Sequence, residues 1–249
     1  MIWLKSDKEI ELMRESGRLT GLALRAIGEI IRPGLTTREI DAFAEEFIKS
    51  HGAVPSFKDY RGYPAAVCTS VNDVVVHGIP DNTKLCEGDI ISVDIGVYKN
   101  GFHGDAARTF PVGKISDEAQ RLIDVTKQCF FEGVKFAKDG QRLGDIGAAV
   151  QSYAESNGYG VVRSLVGHGI GRQMHEDPDV PNFGRAGHGL RLRKGMTIAI
   201  EPMINQGTYE VTCADDGWTI STKDGKLSAH YENTVAILDG KTEILTLVD

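Results

Sequence analysis

Long hydrophobic runs are missing from this chain. None approaches the roughly 20 apolar residues that span a bilayer, and the opening MIWLKSDKEI meets charge too early for a signal peptide or membrane anchor. Cysteine is scarce as well: Cys68, Cys86, Cys129 and Cys213 lie far apart and form no C-x-x-C pair, which suggests free thiols in a reducing compartment. We therefore expect a cytoplasmic protein. Positive charge is not in excess. A net charge of −7 and a pI near 5.5 argue against a general polyanion binder, so neither nucleic acid nor a membrane is the favoured partner, although a local basic patch stays open. A Pro/Gly/Ser-rich linker is also lacking.

What is present is an ordinary globular composition, 41% hydrophobic and 25% charged, long enough at 249 residues for one large domain or two small ones. Capping boxes at Ser6/Glu9 and Thr36/Glu39 predict two helices, the first stopped by Pro33-Gly34 and the second by Gly52. Strand-rich sequence follows from about Val67 to Val112, punctuated at Asn82, Gly88 and Asn100-Gly101. Then the plan restarts, with helices over RLIDVTKQCFFEGVKFA and DIGAAVQSYAES and strands to the end.

The restart is an internal repeat. Gly34/Gly140, Ile40/Ile146 and Gly52/Gly158 match at an offset of 106, and Gly88/Gly195 and Asp94/Glu201 at 107. His77-Gly78-Ile79 recurs as His168-Gly169-Ile170, and His103-x-Asp105 as His230-x-Glu232. Any one match could be coincidence, but four in the same order are not. We expect two αα-then-β halves, about 1–114 and 115–249, fused into one domain whose strands form a continuous, mainly antiparallel sheet.

A carboxylate in an apolar strand is costly unless it is paired, hydrogen-bonded or metal-bound. Asp94 stands near the end of one such strand, EGDIISVDIG. The Asn100-Gly101 hairpin sets Lys99 opposite Phe102, hence Asp94 opposite Ala107 and Asp105 opposite Gly96. The two aspartates are then diagonal neighbours on one face, with Cα atoms roughly 7 to 8 Å apart. The second half supplies Glu201 and Glu232 at repeat-related positions within apolar strand sequence, and His168 supplies a nitrogen. Taken alone, Asp105 would form a surface ion pair with Arg108, His77 and His168 would be hydrogen-bonded loop histidines, and Glu201 would face water. Together, four carboxylates and an imidazole suit divalent Mn, Fe, Co or Zn and suffice for two ions.

In order and spacing, VNDVVVHGIP, VDIG, GDAARTF, GHGIGRQMHEDP, TIAIEPM and SAHYENT resemble the dinuclear type I methionine aminopeptidases of the M24 "pita-bread" metallopeptidases, over nearly the whole chain. The resemblance implies the α+β pita-bread fold. It also implies that Asp94, Asp105, His168, Glu201 and Glu232 hold the metals, with Asp105 and Glu232 bridging. His77 and His175 would be non-ligand active-site histidines, and Tyr60, Tyr63, Cys68, Met174 and Trp218 would line the methionine pocket, though aromatic and Met residues are more often ordinary core. Asn72, Val74 and Ser228 would form a monovalent-cation site for Na or K. Asn233 departs from the family, which commonly has His there, and Met174 stands where Phe is also frequent. Only 25 residues separate His175 from Glu201, too few for the type II insertion, and a eukaryotic zinc-binding extension is not seen.

The implied activity is removal of N-terminal methionine from peptides and nascent chains with a small second residue, by a metal-activated water with Glu201 as proton carrier. A transient ribosome contact would fit that role, and nothing demands more than a monomer. The alternatives are an Xaa-Pro aminopeptidase or prolidase, which normally carries an extra N-terminal domain, and a non-catalytic pita-bread binding module, whose relatives have lost ligands.

Overall fold

The computed structural model describes residues 2–248. In the first half, α1 (Asp7–Ile30) and α2 (Thr37–Ser50) precede β1 (Val54–Pro55), β2 (Val67–Val71), β3 (Val74–Val76), β4 (Ile90–Lys99) and β5 (Phe102–Pro111). In the second half, α3 (Asp117–Val134) and α4 (Leu143–Ser156) precede β6 (Gly160–Val161), β7 (Gly167–Gly169), β8 (Glu176–Val180), β9 (Thr197–Ile200) and β10 (Met203–Asn205). Then come β11 (Val211–Cys213), β12 (Ile220–Thr222), β13 (Ser228–His230), β14 (Asn233–Ile237) and β15 (Thr242–Ile244). Both expected capping boxes are formed: the Ser6 and Thr36 hydroxyls accept from the N–H groups of Glu9 and Glu39, whose carboxylates accept from the cap N–H groups.

The repeat has a structural counterpart. Each matched glycine pair, Gly34/Gly140, Gly52/Gly158 and Gly88/Gly195, adopts positive φ in both copies, a conformation glycine reaches without a Cβ clash. Gly34 N donates to Leu85 O and Gly140 N to Leu192 O, and the isolated bridge Thr36–Lys84 recurs as Arg142–Arg191. Ile40 and Ile146 are both fully buried. In β4, Ile91, Val93, Ile95 and Val97 alternate toward the core that α1 and α2 cover. Strand alternation sends Ser92, Asp94 and Gly96 to the opposite face.

Every strand pair among the described residues is antiparallel, and this α+β arrangement is the expected class. The single continuous sheet is not formed, however. β4 pairs with β5 on one edge and with β1 and β2 on the other; the remaining sheets run β6-β10-β13, β3-β12-β11 and β8-β7-β9-β14-β15. The halves meet where β5 runs antiparallel to the β13–β14 stretch. Ala107 and Glu232 exchange backbone hydrogen bonds of 3.3 and 2.9 Å. On either side a threonine hydroxyl replaces the direct bonds. Thr234 Oγ1 accepts from Asp105 N and donates to Asp105 O, both at 2.9 Å, and Thr109 Oγ1 does the same for His230 at 2.9 and 3.0 Å. Hydroxyls inserted between the strands hold them too far apart for a regular ladder, which separates the sheets yet keeps them in register.

Candidate metal centre and active site

The predicted hairpin register is the one observed, with Asp94 opposite Ala107, Gly96 opposite Asp105 and Lys99 opposite Phe102. On its other edge Asp94 faces Cys68, and across the seam Ala107 faces Glu232. Asp94 and Glu232 therefore flank Ala107 on one face, with Asp105 diagonal to both. The methyl group of Ala107 is the small floor over which three carboxylates converge. Asp94 lies within its strand, not near its end as expected, because β4 runs on to Lys99.

Glu201 and Glu232 do not sit within strands either; they occupy breaks between β9 and β10 and between β13 and β14. The register still carries through: Asn233 pairs with Ile200, Tyr231 N donates to Pro202 O, and Met203 pairs with His230. Pro202 has no N–H to give the ladder, so regular pairing fails there. Asn182 compensates by donating to Glu201 O at 2.9 Å.

His168 lies on β7, where Gly167 and Gly169 permit close backbone approach: a Cβ on either would meet a carbonyl oxygen, of Ala199 at 2.3 Å or of Asp177 at 2.2 Å. Its Nδ1 pairs with Gly169 O at 2.8 Å. Because a carbonyl can only accept, Nδ1 carries a proton, which in the neutral tautomer leaves the Nε2 lone pair free. Nε2 faces Asp105 Oδ2 at 3.5 Å and Glu201 Oε1 at 3.7 Å. A surface ion pair between Asp105 and Arg108 is not formed. Asp105 is 3% exposed, and Arg108 instead donates to the carbonyls of Ala107 and Glu232 and, at 2.7 Å, to Asn233 Oδ1.

Four carboxylates share one pocket. Burial pushes Asp94, Glu201 and Glu232 well above the usual range, and repulsion from neighbouring carboxylates adds to it. Burial also raises Asp105, against hydrogen bonds from its neighbours that lower it. Asp94 Oδ1, Asp105 Oδ1 and Glu232 Oε1 are sealed from solvent with no hydrogen-bond partner among the described residues. Buried oxygens left bare in this number are costly, and a hard divalent cation satisfies them together. Two overlapping donor groups are preformed, Asp105–His168–Glu232 and Glu201–His230–Glu232, each with its donor atoms within 4.8 Å of one another. These residues fit a divalent metal.

Of the other expected residues, His77, His175, Tyr60, Tyr63, Cys68 and Trp218 line the same pocket as the carboxylates. Met174 is not on its lining; it is buried with Tyr63 and Cys68 in the apolar cluster alongside. His175 stacks on Tyr60 with its Nδ1 2.9 Å from the hydroxyl, and its ring lies 4.1 Å from that of His168. Burial, then the neighbouring His168 and Arg61, lowers the His175 pKa to about 3, so the ring is neutral. His77 is held at φ 61°, uncommon for a non-glycine residue, and sits edge-on to Trp218, as does Tyr63. Of the three expected monovalent-cation residues, Asn72 O accepts from Ser228 N at 2.9 Å, and Val74 lies two residues on, across from Ser221.

Sequence reasoning missed Phe57 and Arg61 on the pocket wall and His230 beside Glu201 and Glu232. For Phe57 and Arg61 no signal in the sequence pointed to the site. For His230 there was one, the repeat of His103-x-Asp105.

A curved antiparallel scaffold that gathers carboxylates and an imidazole from two repeated halves is the architecture of a metal-dependent hydrolase. The sequence profile of metallopeptidase family M24 matches residues 11–239, and the chain belongs to that family. Within it, the chain is 58% identical to the methionine aminopeptidase of Clostridium perfringens over 248 residues, covering 100% of both chains. Its structure is similar to the crystal structures of methionine aminopeptidase from Rickettsia prowazekii (TM-score 0.98, 42% identity, 99% of this chain and 100% of that one) and from Thermotoga maritima (TM-score 0.97, 44% identity, 100% of both).

Proposed function

We propose that this chain is a methionine aminopeptidase that removes the N-terminal methionine from peptides and nascent proteins, preferring a small second residue. The observation that carries the reading is the convergence of Asp94, Asp105, His168, Glu201 and Glu232 on one pocket, joined to full-length similarity to proteins of that name. Residues 1–249 act as one catalytic unit, because each half holds only part of the ligand set.

Asp94, Asp105, His168, Glu201 and Glu232 would hold two divalent ions, of Co, Mn, Fe(II) or Zn. When bound, the ions lower the pKa of water toward neutrality and polarise the scissile carbonyl. Glu201 takes the proton from the attacking water and delivers it to the leaving nitrogen. The Tyr60 hydroxyl donates to His175 Nδ1, which leaves His175 Nε2–H to donate to the oxygen that gains charge. His77 holds the peptide on the leaving side. Tyr60, Tyr63, Cys68 and Trp218 receive the methionine side chain, with Met174 backing the wall; burial, then Asp94, raises the Cys68 thiol pKa and keeps it neutral against a thioether. Asn72, Val74 and Ser228 offer backbone carbonyls to one Na or K ion. The protein works as a cytoplasmic monomer that meets nascent chains near the ribosome.

Cleavage of Met-Ala-Ser, abolished by chelator and restored by divalent metal, is the expected result. Cleavage of Xaa-Pro peptides in preference would establish a prolidase-like enzyme. No cleavage of either by metal-loaded protein would leave a binding module.

A further inference from the structure

His230 stands in one of the two donor groups yet has no part in the mechanism above. It is buried, and its Nε2 is sealed from solvent with no hydrogen-bond partner among the described residues. Its backbone is fixed on both sides: N and O both bond to Thr109 Oγ1, which is in turn 2.8 Å from Ser92 Oγ. Only the imidazole can move to satisfy Nε2. The groups it faces are Glu201 Oε2 and Glu232 Oε2, each 3.9 Å away. Glu201 lies between two imidazoles, with Oε1 turned to His168 and Oε2 to His230. Glu232 has Asp105 beside it instead.

We infer that His230 is a positioning residue for Glu201: its Nε2–H donates to Oε2 and so reserves Oε1 for the ion held with His168. A small side-chain rotation closes 3.9 Å to hydrogen-bond length, and the bond relieves the bare Nε2 as well as the free carboxylate oxygen. This inference rests on the metal-centre reading above, and its test separates the two.

The full chain, stripped with chelator, is titrated with Co2+ alone by calorimetry while its visible absorption is recorded. Absence of Co2+ binding by the wild-type chain would overturn the metal-centre reading itself and this inference with it. If wild type binds, His230→Ala is expected to weaken the Kd roughly 10- to 100-fold, whereas His230→Gln, whose amide still donates, stays within about threefold. Wild-type affinity and spectrum in His230→Ala would overturn the inference. So would His230→Gln as weak as His230→Ala with an altered Co2+ spectrum, since a role that glutamine cannot fill and that changes the coordination is that of a ligand.

Discussion

At the scale of single residues, the site is a set of groups that are each costly where they stand and stable only together. Glu201 is the member asked to do chemistry. Its carboxylate is flanked by His168 and His230, and Asn182 holds its carbonyl, so Glu201→Gln should fold normally. Turnover of Met-Ala-Ser should fall by roughly 10²- to 10⁴-fold, the usual worth of a positioned proton carrier; an unchanged kcat would remove Glu201 from the mechanism. That Asp94, Asp105, Glu201 and Glu232 share one pocket was legible in the sequence because a carboxylate in apolar strand sequence needs a cause. Asp105 shows the limit of that reasoning, since a nearby arginine in sequence suggested an ion pair. Arg108 turns instead to the Ala107 carbonyl and to Glu232 O and Asn233, and a sequence cannot show the last two because they come from the other half.

At the scale of elements, two features place the ligands. The Asn100-Gly101 turn, with both residues at positive φ, fixes the β4–β5 register and so the diagonal of Asp94 and Asp105. The glycines around His168 let β7 lie close to its neighbours. Gly169→Ala would drive a methyl group into the Asp177 carbonyl, 2.2 Å from the ideal Cβ, so β7 and β8 must separate. We expect a loss of about 1–3 kcal/mol of stability in urea unfolding, with weaker metal binding because His168 moves; a variant as stable as wild type would contradict this account. Gly78 is the repeat's counterpart, its Cβ position 2.1 Å from Thr69 O. The His-Gly-Ile repeat thus marks close backbone approach in both halves. The helices and the hairpin were readable from local signals. The strand breaks at Glu201 and Glu232 were less so, because they arise where a proline and a cross-half seam interrupt a ladder.

At the scale of the whole molecule, the halves are joined through the site itself. Thr109, Thr234 and the Ala107–Glu232 bonds form the seam, and the carboxylates stand directly on it. Metal-free protein should therefore be sensitive to pH. The buried carboxylates titrate above their ordinary values of 3.8 for Asp and 4.5 for Glu, Asp105 at about 8. The folded state then holds protons that the unfolded chain has released, so the share of stability these carboxylates contribute is fully present below about pH 4 and is lost as pH rises toward 8. Melting of chelated protein should drop over that window, and saturating Mn2+ should remove the drop; a flat profile without metal would contradict the crowding described here.

The sequence by itself determined the class of fold, the repeat, the helices with their caps, the hairpin register and which carboxylates stand where burial needs a reason, because each is written in local spacing or in a residue type that cannot be buried without a reason. The tertiary structure alone decided that the strands divide into four sheets, that Ala107 is the floor of the site, that Arg108 serves carbonyls, and that His230 faces Glu201. Those depend on which side chains meet across the seam and between strands distant in the chain, and a linear pattern carries no record of such distances.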